Sequence, residues 1–145
     1  MSEFSSSTVS IDAPIAEVGA ALFAVANYPE WSSAFKKVEV LEADSQGRAV
    51  KASLSVDAGA LKDVVTLIFD WSSAPEKVTF SLEDANLLTK MDGAYHLKSL
   101  DSESTSVTYE LSVGLSMPIP AMMIAKQEKS TIDIALKQLK DHLEG

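Results

Sequence analysis

The chain has 145 residues, a formal net charge of -9, 46% hydrophobic and 23% charged residues, and no cysteine. That length suits one domain over residues 1–145, the composition is that of a folded globule, and the lack of cysteine excludes disulfides, thiolate nucleophiles and cysteine-held metals. The acidic charge argues against a nucleic-acid backbone as partner and disfavours an anionic membrane surface, since both would repel it.

The segment Met1 to Ser6 lacks the basic start and apolar core of a signal peptide. No uncharged apolar run reaches about 18 residues, so a cytoplasmic protein without stable membrane insertion is expected. From Ser6 to Ile11 the chain alternates as a first strand. Asp12 is then placed to cap a helix whose first turn holds Pro14 and whose stripe is Ile15, Val18, Leu22 and Val25. Pro29 stops that helix near Asn27, and a short second helix or turn is expected from Pro29 to Phe35.

The middle reads as strands separated by turn chemistry at Asp44-Ser45-Gln46-Gly47, Asp57-Ala58-Gly59, Ser72-Ser73-Ala74-Pro75, Asp84-Ala85-Asn86 and Asp101-Ser102-Glu103-Ser104. Those breaks divide the segment into six strands. Val50, Ala52, Leu54 and Val56 alternate with polar residues, as do Val78, Phe80 and Leu82, and Val107, Tyr109, Leu111 and Val113. The pattern describes an antiparallel meander covered on one face. A helix from about Pro120 to Leu143, with Ala121, Ala125, Ile132, Leu136, Leu139 and Leu143 on one stripe, supplies the cover. An α+β domain follows, its sheet gripping the helices, and such a grip tends to enclose an apolar cavity.

Residues able to carry catalysis are few. The two histidines, His96 and His142, belong to no HExxH motif, no Gly-rich phosphate loop is present, and neither a metal nor a cofactor is expected. Gly114-Leu115-Ser116-Met117-Pro118 begins like a nucleophile elbow but ends in Pro where that motif requires Gly. His96 shares its strand face with Lys90, Asp92 and Lys98 and is assigned to the outside. Tyr95 and Tyr109 fall on inward faces, either as core phenols or as groups that orient a ligand oxygen. Glu128 and Lys129 sit at the edge of the last helix's stripe, where charges usually snorkel to water. If Glu128 instead faces a cavity, it joins Tyr95 and Tyr109 as a candidate for acid or base work.

Trp31, Phe35, Leu54, Leu67, Phe69, Phe80, Tyr95 and Tyr109 are candidate pocket walls, with core packing as the plainer reading. Gly93 marks either a bulge or room for a ligand. From Gly114 to Ala125 the chain is uncharged and holds Met117, Met122 and Met123. Those adaptable side chains suit an entrance formed by Met117, Met122 and Ala125, a stiff hinge into the last helix, or a lip that touches membrane.

Ile11-Asp12-Ala13-Pro14 with Val18, Tyr28-Pro29-Glu30-Trp31, Val38-Glu39-Val40-Leu41-Glu42, Val56-Asp57-Ala58-Gly59, Phe69-Asp70-Trp71, Asp92-Gly93-Ala94-Tyr95, Thr108-Tyr109-Glu110-Leu111 and Pro118-Ile119-Pro120, in that order and spacing, resemble the polyketide cyclase/dehydrase family. It belongs to the START-like (Bet v 1-like, SRPBCC) superfamily. The resemblance covers nearly the whole chain. It implies a helix-grip fold: a seven-stranded curved antiparallel sheet around a long C-terminal helix, with two short N-terminal helices and a hydrophobic cavity between. It also implies a range of functions, since members include aromatase/cyclases, coenzyme-Q-binding proteins, a ribosome-associated type and lipid-transport proteins. Aromatase/cyclases are expected to carry several polar pocket residues, whereas the inward faces here are almost wholly apolar. The expected function is therefore binding or transport of a small hydrophobic ligand, a lipid, quinone or polyketide-like molecule, by a monomer or homodimer. The alternatives are a polyketide cyclase, aromatase or dehydratase, and a protein-interaction module.

Overall fold

A computed structural model describes residues 5–58, 61–73, 76–116 and 118–144. The alternating N-terminal segment forms β1, Ser5–Ile11. The first helix, α1, spans Ile15–Phe23, and a 3₁₀ helix follows at Val25–Glu30. Extended Pro14 occupies the N-cap of α1 without a side-chain bond. Asp12 does not cap: it is exposed, and its backbone N–H donates to Glu144 Oε2 at 2.8 Å, tying the helix entrance to the end of the chain.

The α-helix also ends earlier than Asn27. Pro29 is accommodated by the tighter 3₁₀ turns, and the buried Tyr28 hydroxyl donates to the Leu22 carbonyl at 2.7 Å. That bond satisfies one of the acceptors a helix end leaves open. Tyr28 thus closes α1 and pins the following turn to it.

The remaining strands are β2 Phe35–Ala43, β3 Ala49–Ala58, β4 Leu61–Asp70, β5 Lys77–Ala85, β6 Leu88–Asp101 and β7 Ser104–Leu115. Among the described residues, seven strands form one antiparallel sheet in the order β1-β7-β6-β5-β4-β3-β2. Six consecutive strands make a meander, and the described turn clusters mark its reversals. At the first, Asp44 Oδ1 accepts from the N–H groups of Gln46 and Arg48, both at 2.9 Å, and Gly47 takes the left-handed φ of +82°. β1 returns to pair with β7, its Ser7 opposite Tyr109.

The long helix α2, Ala121–Glu144, crosses the concave face. Its buried positions are Glu128, Ile132, Ala135, Leu136 and Leu139, whereas Ala121 and Ala125 are exposed. A straight stripe on the helix does not meet a twisted sheet along its whole length. The buried side therefore rotates toward Ile124, Gln127, Glu128 and Thr131 in the N-terminal half.

Candidate functional site

The centre of the grip is filled by aromatic rings. Tyr95 stacks on Tyr109 with centroids 4.3 Å apart, Tyr109 meets Phe80 at 6.4 Å, Phe80 meets Phe69 at 6.0 Å, and Phe69 stacks on Trp71 at 5.7 Å. Trp71 meets Phe23 of α1 edge-on at 5.2 Å, and Arg48 lies over both rings. Gly93 serves this packing. It sits opposite Phe80 in unbroken register, and a Cβ there would come within 2.2 Å of Phe80 Cζ. The space belongs to a neighbouring ring, and the backbone has no bulge at that point.

Burial raises the Tyr95 phenol well above its ordinary pKa, as does proximity to Tyr109 and Tyr28, and burial raises Tyr109 while a bond with Tyr95 partly offsets it. Both hydroxyls stay protonated across the physiological range and offer no base. Leu54 and Leu67 complete the core below the rings. Trp31 and half-buried Phe35 pack on Tyr28, with centroids 5.5 and 5.7 Å away. Among the described residues, the buried Trp31 Nε1 and Ser32 Oγ have no hydrogen-bond partner.

An apolar cavity of about 290 Å³ opens at one end of this core, where β3 and β7 finish, β6 begins and α2 enters. Its sheet wall is Val56, Leu88, Met91, Leu111, Val113 and Leu115. Leu87 and Ile119 close the rim, and Met123, Ile124, Gln127, Glu128 and Thr131 face it from α2. The volume lies near the small end of ligand sites and equals about ten waters. It suits a ring pair or a short chain.

The β5–β6 corner of the rim is held by Asp63. Its carboxylate accepts from the N–H groups of Val64, Asn86, Leu87 and Leu88 at 2.7, 3.1, 2.8 and 3.0 Å. Burial pushes the Asp63 pKa up, but these four donors more than offset it, so the carboxyl is held below the usual range. Three successive N–H groups on one carboxylate give the corner a defined shape and aim Leu88 inward.

Glu128 is buried in the cavity wall, contrary to the expectation of a snorkelling edge charge. Oε1 accepts from Ser5 Oγ at 2.7 Å and Oε2 from the Val113 N–H at 2.6 Å, so the carboxylate joins β1, β7 and α2. Lys129 lies outside on the β1 edge, bonded to Ser6 O at 2.6 Å and to Ser7 Oγ. Gln127 Nε2 donates to Thr131 Oγ1 at 3.2 Å.

Of the described candidate site residues named from sequence, only Glu128 lines this cavity. Trp31, Phe35, Leu54, Leu67, Phe69, Phe80, Tyr95 and Tyr109 belong to the packed interior, because the aromatic rings fill each other's space. Met122 and Ala125 point to solvent, and Met117 lies outside the described residues. His96 is on the outer face, its Nε2 2.6 Å from Glu110 Oε1, and His142 is exposed near the end of α2. The lining residues that sequence reasoning missed carried one signal, the pair Leu87-Leu88 following the polar turn Asp84-Ala85-Asn86.

A family model described as polyketide cyclase / dehydrase and lipid transport matches residues 11–140. Similar solved structures include a START superfamily protein from Mycobacterium smegmatis, with a TM-score of 0.91, 22% identity and 97% of each chain covered. The Zhui aromatase/cyclase from Streptomyces sp. R1128 superposes with a TM-score of 0.75 at 19% identity, covering 100% of this chain and 98% of that one. A protein of Thermus thermophilus gives 0.82 at 15% identity over 97% of each chain. At these identities the likeness is one of fold. No curated protein matches the chain by sequence. Among the described residues, no helix is long and apolar enough to cross a membrane.

Proposed function

The chain belongs to the polyketide cyclase/dehydrase and lipid transport family, and we propose that, within it, this protein binds or carries a small hydrophobic molecule in the cavity beneath the start of α2. The observation that carries this reading is the cavity wall: ten of its thirteen described lining residues are apolar. Burying a ligand there returns about 25 cal/mol per Å² of apolar surface. Binding needs nothing further.

The cyclase reading, which the likeness to the Zhui aromatase/cyclase invites, asks for a proton-transferring group beside the ligand. Tyr95 and Tyr109 lie away from the cavity, and Glu128, which also holds two strands to a helix, has no second acid or base beside it among the described lining residues. A carrier fits this distribution of polar groups better than a catalyst.

The neutral fluorophore N-phenyl-1-naphthylamine tests the proposal. It should saturate at one molecule per chain with enhanced, blue-shifted emission. Ile124→Trp, at a half-buried lining position, should weaken it at least about tenfold by filling the space, with the melting temperature nearly unchanged. No saturable binding to the wild-type chain, or equal binding by the variant, would sink the reading.

A further inference from the structure

The cavity has two unlike walls. The sheet side is apolar throughout, whereas Gln127, Glu128 and Thr131 all come from one stretch of α2. Glu128 is only 6% exposed, and its partners, the Ser5 hydroxyl and the Val113 N–H, are both neutral donors. A carboxylate has about four acceptor positions, and these two bonds occupy one on each oxygen. Among the described residues two remain without a partner, in a wall that a ligand would touch.

Resting on the binding reading above, we propose that Glu128 selects the ligand's polar group: the cavity takes an apolar molecule carrying a hydroxyl and rejects apolar carboxylates. A hydroxyl donates its hydrogen to a free lone pair of Glu128 while the carbon skeleton lies against Leu88, Met91 and Leu111. Hydrogen bonds to a charged group are stronger than neutral ones, and an unbonded buried carboxylate lone pair is costly, so the hydroxyl gains about tenfold over the bare hydrocarbon. A carboxylate ligand brings a second negative charge to within a few ångströms of Glu128 in a poorly solvated pocket. That repulsion costs roughly a hundredfold in affinity against the alcohol. A net charge of -9 works in the same direction at longer range. Fatty-acid anions are thereby excluded as cargo.

Displacement of N-phenyl-1-naphthylamine from the full chain at pH 7.5 separates the possibilities, with naphthalene, 1-naphthol and 1-naphthoate as competitors of one size. The expected order is 1-naphthol first, naphthalene about tenfold weaker, and 1-naphthoate about a hundredfold weaker than the naphthol. Glu128→Gln removes the charge and keeps an oxygen acceptor, and should raise naphthoate affinity at least about tenfold. Equal displacement by all three competitors, or naphthoate ahead of naphthol, overturns the selection by Glu128 while leaving the cavity as a binding site. Failure of the fluorophore itself to bind overturns the binding reading and this one with it. Should Glu128→Gln not fold, because it joins β1, β7 and α2, the wild-type order decides alone.

Discussion

At Gly93 the absence of a single carbon sets the packing of the central rings. Phe80 is 7% exposed and lies between Phe69 and Tyr109, so its ring has nowhere to retreat when a methyl appears at position 93. Gly93→Ala should cost about 1–3 kcal/mol by overpacking, measured by urea unfolding. Phe80→Leu in the same chain should recover part of that loss, so that the two changes together cost less than their sum. Strict additivity would mean that the ring and the glycine do not share the space. Asp63 acts at the cavity rim by the opposite device, a group that supplies bonds rather than room. Asp63→Ala leaves three successive N–H groups without their acceptor and should cost about 2–3 kcal/mol at pH 7. The folded-state pKa of Asp63 is depressed, so its stabilisation is present above the ordinary aspartate value and is lost as pH falls through the lowered one. The gap in melting temperature between wild type and Asp63→Ala should therefore narrow between pH 7 and pH 3. A gap independent of pH would remove the charge from the explanation.

The α2 helix is two half-helices in energetic terms. Ile132, Ala135, Leu136 and Leu139 are buried on the sheet, whereas from Ala121 to Gln127 the side chains are exposed or half-exposed and face the cavity on one side. Local opening follows the density of buried contacts. Native-state hydrogen exchange should be faster at 124–128 than at 132–139, and a bound apolar ligand should slow the first segment more than the second. Uniform protection along α2 would contradict that division. This division explains what the sequence disclosed. Strand alternation and turn clusters are local signals, so the meander, its closing helix and the outward His96 were legible. The cavity was not, because its walls come from residues 56, 88, 111 and 124–131, distant in the chain, and because the inward side of α2 rotates away from the straight stripe through Ala125. Counting apolar positions on strands finds the buried face. It does not distinguish rings packed on rings, as at Tyr95 and Tyr109, from side chains that border open space.

At the scale of the molecule, the sheet's grip is tied to the ionisation of its tyrosines. The chain has three, Tyr28, Tyr95 and Tyr109, and their exposures are 5%, 5% and 2%. Burial raises all three phenols above the ordinary tyrosine value, and for Tyr28 the nearby Tyr109 adds to it. Their folded pKa values lie above the unfolded one, so the stability they contribute is fully present below about pH 10 and is lost as pH rises toward the folded values. In that window the unfolded chain has released three protons that the native chain retains. At about 1.4 kcal/mol per proton and pH unit, the native state loses about 4 kcal/mol for each unit above pH 10. A domain stable by about 5–15 kcal/mol cannot withstand many such units. Phenolate absorbance near 295 nm should therefore stay flat through the ordinary tyrosine range and then rise for all three residues in one cooperative step, coincident with loss of the far-ultraviolet circular dichroism. A tyrosine that titrates singly near pH 10 in the folded protein would mean that a path for water reaches the ring stack, and the cavity beneath α2 would then extend into the space that the aromatic residues fill here.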